Sequence, residues 1–455
     1  MGIKLSLLSF LMATTTLVFA QNTETPSYEE LIQRIEQLEK AQSAPKSSRA
    51  EKEFNKNHRL ILGGYGEAVY SRHFYSSNWK RYTDASLYKD DDGFGRIDIP
   101  HFVLMMQYDF GHGWKFGTEI EFEHGGLESA MEIEEEETGE YESEIEKGGE
   151  VALEQMWLEK TFSPAIHIKA GHFVVPVGGT NARHLPTEFF TNNRPEGDAT
   201  VFPQTWHQTG LSLWGQKGNW RYEGQIIAAL DGYMFDDNYW AHNASVSPFE
   251  FKIANNLAGV ARIDNYSIDG LQMGISMYAG KSGHNTLKQD NYSDIDAMVT
   301  IGAFDFQYKS PNSNDLVARG GIIYGNIEDS EALTAANMSN RSDSPSPKDK
   351  VAKNAISANI EIGYNLLARS SNNKFENQKL YIFGRFDYYD TMFKTEGSIY
   401  DDERFERKCY VAGINYYPTK TIVIKADYSY RDFTSAYNDE PTLSLGIAFS
   451  GFFLR

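Results

Sequence analysis

What this chain lacks narrows the field first. It holds one cysteine, Cys409, in 455 residues, so an internal disulfide is excluded and no Cys-based metal or catalytic motif is available. Cys409 reads as a small strand residue. Neither Gly-x-Ser-x-Gly nor His-Glu-x-x-His occurs, which removes the common serine-hydrolase and zinc-protease signatures. His167 and His172 sit at odd spacing, so on one strand they would face opposite sides and share no metal. No catalytic residue, metal or cofactor is expected. After residue 20 no apolar run reaches the ~18 residues of a membrane-spanning helix. Basic residues are also short, 43 against 63 acidic for a net charge of −20, which disfavours nucleic acid as a partner.

What is present begins with a leader. Lys4, the apolar stretch Leu5 to Phe19 and the small-residue site Val18-Phe19-Ala20 predict a secretory signal peptide over 1–20. The alternative is a retained N-terminal helix. Residues 21–57 read as a periplasmic coiled-coil segment and tether. Tyr28, Leu31, Ile35 and Leu38 alternate spacings of three and four with charges between them, an a/d seam about two heptads long. Alone it is too short to be a stable helix. Copies meeting through Leu31, Ile35 and Leu38 would hold it, which predicts a homotrimer or another oligomer. A frayed helix packing on its own domain is the competing reading.

Residues 58–455 alternate polar and apolar positions over long runs. Glu119, Glu121 and Glu123 interleave with Phe116, Thr118, Ile120 and Phe122. Lys425, Asp427, Ser429 and Arg431 interleave with Ile422, Ile424, Ala426, Tyr428 and Tyr430. One greasy and one ionised face, repeated this often, is the pattern of a barrel with lipid outside and water inside. It also explains a mean hydropathy of only −0.50. Long polar connections near 73–96, 125–150, 175–205, 231–255, 281–296, 326–353, 390–405 and 433–440 alternate with tight turns. Eight long loops and seven turns predict sixteen antiparallel strands, with both ends on the turn side, facing the periplasm. Aromatics beside the turns (Tyr108, Phe110, Trp114, Trp214, Trp220, Tyr416, Tyr417, Phe452, Phe453) fit an interfacial girdle. The fold class is therefore all-β, a transmembrane barrel in the outer membrane, with membrane lipid and small hydrophilic solutes as its partners.

Three stretches make the chain familiar. These are the heptads from Leu31 to Lys40, the opening strand Leu62 to Ala68 (LGGYGEA), and Lys169 to Gly178 (KAGHFVVPVG). The third is followed by Phe189 to Arg194 (FFTNNR) and Thr209 to Leu213 (TGLSL). Together they resemble the phosphate-selective porin O and P family over nearly the whole of 21–455. The resemblance implies trimers of sixteen-stranded barrels whose third loop folds inward to narrow a channel for solutes or ions, phosphate or other anions among them. The departures concern charge. Trp206-His207-Gln208-Thr209 stands where that family has a base, and Glu119, Glu121 and Glu123 share the inferred lumen.

The third loop, 176–204, carries Leu185, Phe189, Phe190, Val201 and Phe202, which a loop in water would not need. Its Arg183, His184 and Arg194 are expected to line the pore constriction; the alternative is charges on a solvated loop. On this reading the pore is weakly anion-preferring or near neutral. Parity places Lys169, Arg221, Arg262, Arg385 and Lys425 on the lumen wall, either free to select ions or paired with Glu223, Asp264 and Asp387. Eleven glutamates between Glu128 and Glu150 face one base, Lys147. They read as a solvated acidic loop rather than a calcium site, lacking the spacing and turn glycine of one. Two other function classes stay open: a non-conducting scaffold or adhesion barrel, and an outer-membrane hydrolase.

Overall fold

The structure is a computed structural model that describes residues 59–454, apart from 125–128, 136–140, 148–150, 247–250, 287–291, 293, 312–314, 340–348 and 369–377. The expected signal peptide and the Leu31, Ile35 and Leu38 seam lie outside the described residues. Sixteen staves follow one another around a barrel: β1 Leu60–His73, β2 (Phe94–Asp98 and His101–Gly111), β3 Trp114–Glu123, β4 Val151–Ser163, β5 Ile166–Val174, β6 His207–Lys217, β7 Trp220–Ala228 and β8 Leu257–Ile268. Then come β9 Leu271–Lys281, β10 Met298–Lys309, β11 Leu316–Ile327, β12 Asn354–Asn365, β13 Lys379–Lys394, β14 Glu406–Thr419, β15 Ile422–Asp432 and β16 Glu440–Leu454. Each pairs antiparallel with the next, and β1 pairs with β16 from Leu62↔Leu454 to His73↔Thr442, so the sheet closes and keeps no free edge.

The second stave is made of two segments because Pro100 has no amide to donate; both segments pair with β1. A separate two-stranded hairpin, Ser129–Glu135 with Tyr141–Lys147, stands in the acidic second loop. The turn between β8 and β9 falls at Asp269-Gly270. There Gly270 takes a φ of 75°, a left-handed value that costs glycine little.

Alternation sorts the side chains inside out relative to a soluble protein. Leu211, Leu213, Ile263, Ile275, Ile424 and Ile447 are exposed on the outer face. Their strand neighbours Ser212, Arg262, Asp264, Ser276 and Lys425 are buried on the inner one. Phe110, Trp114, Phe162, Trp220 and Phe453 stand exposed beside the turns, as a girdle requires. Trp214 does not join them. It shares the inward parity of Ser212, stacks on His167 at 3.8 Å and donates to Glu159 at 2.8 Å.

Candidate functional site: the third loop and the wall around it

Between β5 and β6 the chain leaves the wall and crosses the interior. This third loop carries two short helices, α1 Gly179–Ala182 and α2 Glu196–Val201. Its apolar residues dock: Phe190 stacks on Phe383 at 5.3 Å and meets Tyr381 at 4.9 Å, while Phe202 meets Trp240 edge-on at 5.5 Å.

Polar pins fix the rest. The Gly178 amide donates to Ser276 Oγ at 2.9 Å. Asp198 accepts from Thr180, Ser357 and Asn359 at 2.6, 2.6 and 3.1 Å. The Asn192 backbone and side-chain amides both donate to Asp427 at 2.7 Å. Asn415 donates to the Phe190 carbonyl at 2.6 Å. Glu196 sits 2.7 Å from Arg431 and accepts from the Tyr389 hydroxyl. Burial would raise the Glu196 carboxyl, but Arg431 and Arg407 hold it down at about 2. Cys409, buried on the wall, has its thiol 3.2 Å from the same carboxylate.

The residues expected at the constriction have separate fates. Arg183 is bound to Asp305 at 2.9 Å. His184 is a neutral imidazole, pushed down to about 3 by burial and by the charge of Arg194. A desolvated ring next to a guanidinium resists protonation. Arg194 reaches the His184 carbonyl at 3.4 Å and forms no ion pair among the described residues.

The five wall bases all lie on the inward face, and each has partners there. Lys169 is 3.9 Å from Glu159 and over the Trp157 ring. Arg221 pairs with Glu223 at 2.6 Å. Arg262 bridges Asp264 at 2.7 Å and Asp305 at 2.9 Å. Arg385 pairs with Asp387 at 2.8 Å and donates to the Asn193 carbonyl at 2.9 Å. Lys425 donates to the carbonyls of Phe189 and Thr191 at 3.1 and 2.8 Å. A row of free cations is therefore replaced by paired charges, of which Arg262, Arg385 and Lys425 hold the third loop or its socket. Arg319, which the sequence reading missed, belongs with them: it pairs with Glu361 at 2.7 Å, and its guanidinium lies over the Phe190 ring.

The staves from β1 to β4 carry the opposite balance. Glu67, Glu119, Glu121 and Glu154 are buried on their inner face. Tyr65 and Thr205 donate to Glu154 at 3.4 and 3.2 Å, and His101 Nδ1 lies 2.7 Å from Glu121. Parity in the sequence already places Glu119 and Glu121 on this wall, and one further signal reaches His101. Counting back from the Gly111 to Gly113 turn places His101 opposite Glu123, as the register confirms.

A closed barrel with a greasy outer band, an aromatic girdle and a polar, loop-crossed interior is a transmembrane barrel of porin architecture, and it resides in an outer membrane. One solved structure supports the fold. The chain is similar to OmpF of Salmonella typhi, solved with daunomycin, at 12% identity and a TM-score of 0.51, over 87% of this chain and 99% of that one. It is also similar to the outer membrane channel DcaP of Acinetobacter baumannii, at 12% identity and a TM-score of 0.48, over 90% and 100%. In sequence it is 25% identical over 378 residues to an uncharacterized protein of Aquifex aeolicus (strain VF5), covering 82% of this chain and 76% of that one. No protein-family model matches the chain.

Proposed function

We propose that the chain is a porin that lets small hydrophilic solutes and ions diffuse past its third loop. The observation that carries this reading is the loop itself. It is pinned across the interior by Asn192 on Asp427 and by Lys425 and Arg385 on its carbonyls, a geometry that narrows a barrel. The resemblance to the phosphate-selective porins, carried by the Lys169 to Gly178 strand that feeds this loop, supports the same reading. Phosphate selectivity does not follow from it. The wall bases are engaged by carboxylates and carbonyls, His184 is neutral, and the charge of Arg194 is opposed by Glu121 and Glu154. The proposed preference is therefore weakly for cations, not for the anions that Arg183, His184 and Arg194 would favour as three free charges.

Planar-bilayer recordings test both parts. Discrete conductance steps with a reversal potential of cation sign in a salt gradient are expected, and Arg194→Ala should move that potential further toward cations. A folded barrel that never conducts would favour the scaffold reading. A strong anion potential in the unmodified protein would overturn the charge assignment while leaving the channel intact.

A further inference from the structure

Three neighbouring staves bring metal-ligating side chains together on the inner wall. His101 of β2 lies opposite Glu123 of β3, with Glu121 on the diagonal. On its other side, one residue beyond the Gly66–Phe102 pair, stands Glu67 of β1. One donor atom each from His101, Glu121 and Glu123 lie within 4.8 Å of one another. That is the span across a single ion whose donors sit at about 2.0–2.4 Å. His101 Nδ1 is 2.7 Å from Glu121, which leaves Nε2 turned toward Glu67 at 3.8 Å.

Glu67 supplies an independent sign. Its side chain is only 6% exposed, it forms no hydrogen bond among the described residues, and its one ion-pair contact is the His101 ring. Near it stand that ring and the Lys425 ammonium, so a cation bound here would add to the charge this carboxylate already faces. This one is aimed at the same imidazole as the other two.

We propose that His101, Glu121 and Glu123, with Glu67 behind them, bind one first-row divalent cation of the zinc class. The imidazole argues against calcium, which wants six to eight oxygens, and for a metal that accepts nitrogen and carboxylate together. Two positive charges at this point would offset the carboxylates of Glu121 and Glu154, which Arg194 also opposes. Binding does not depend on the channel reading, because it is measured on the folded barrel without conduction.

The test is titration calorimetry on the refolded full chain, stripped with a chelator, using zinc, with magnesium and calcium in parallel. One zinc per chain is expected, with magnesium and calcium much weaker. His101→Ala and Glu123→Gln should each weaken zinc by more than about tenfold. Neutralising Glu132, Glu134 and Glu144 in the second-loop hairpin should leave the tight site unchanged. Heat-modifiability on gels confirms that each variant is folded, and Glu67→Gln serves if His101→Ala does not fold. The proposal falls if zinc binds equally well without His101, if the isotherm follows only the hairpin glutamates, or if calcium binds as tightly as zinc.

Discussion

At His184 the ordinary titration of an imidazole is displaced. Its value falls from 6.5 to about 3 inside the third loop, mainly through burial and then through Arg194. An unfolded chain takes up a proton near 6.5 that the folded chain refuses until about 3, so the contribution of this residue to stability is full above 6.5 and lost as pH falls below it. Thermal midpoints of the detergent-folded barrel should thus drop between pH 7 and pH 5, and less steeply in His184→Gln. Equal slopes would mean that the ring is wet. Asp305 poses the complementary case, since Arg183 and Arg262 both lean on it. Asp305→Ala leaves two guanidinium groups short of their partner, one of them fully buried. The expected cost is about 3–5 kcal/mol in urea unfolding, against far less for Lys281→Ala, whose ion pair with Asp296 is half exposed on both sides.

The third loop is the element on which the functional reading turns. The sequence made its inward fold legible, because Phe189, Phe190, Val201 and Phe202 have no business in water. It did not reveal the sockets: Lys425 and Asp427 come from a strand more than two hundred residues further along, and nothing local marks them as partners of residues 189–192. Strand parity put five bases on the inner wall, yet parity speaks only of direction and says nothing of pairing. The neutrality of His184 was equally out of reach, being a product of burial. The strands themselves were the easy part, since period two and alternating loop length are local properties. Asp427→Ala removes the acceptor of both Asn192 amides, each such bond to a charged group contributing about 1.5–3 kcal/mol. The loop should loosen, and single-channel conductance should rise or become noisy while the barrel still migrates as folded. An unchanged conductance would place the narrow point elsewhere.

For the whole molecule, outer-membrane residence predicts co-fractionation with that membrane and a heat-modifiable, β-rich band on gels. Oligomeric state is a separate matter. We propose that three barrels associate, with the heptads joined beneath them, so that polar substitutions at Leu31, Ile35 and Leu38 should shift the native-gel band from trimer to monomer. A monomer band in the unmodified protein would give that segment another role. The seam between β1 and β16 has a consequence for assembly in time. The first stave to be made must wait for the last before half of its backbone groups find partners, so every partly built barrel carries two raw strand edges. Contacts this remote along the chain form slowly, and an unsealed sheet invites a stranger's strand.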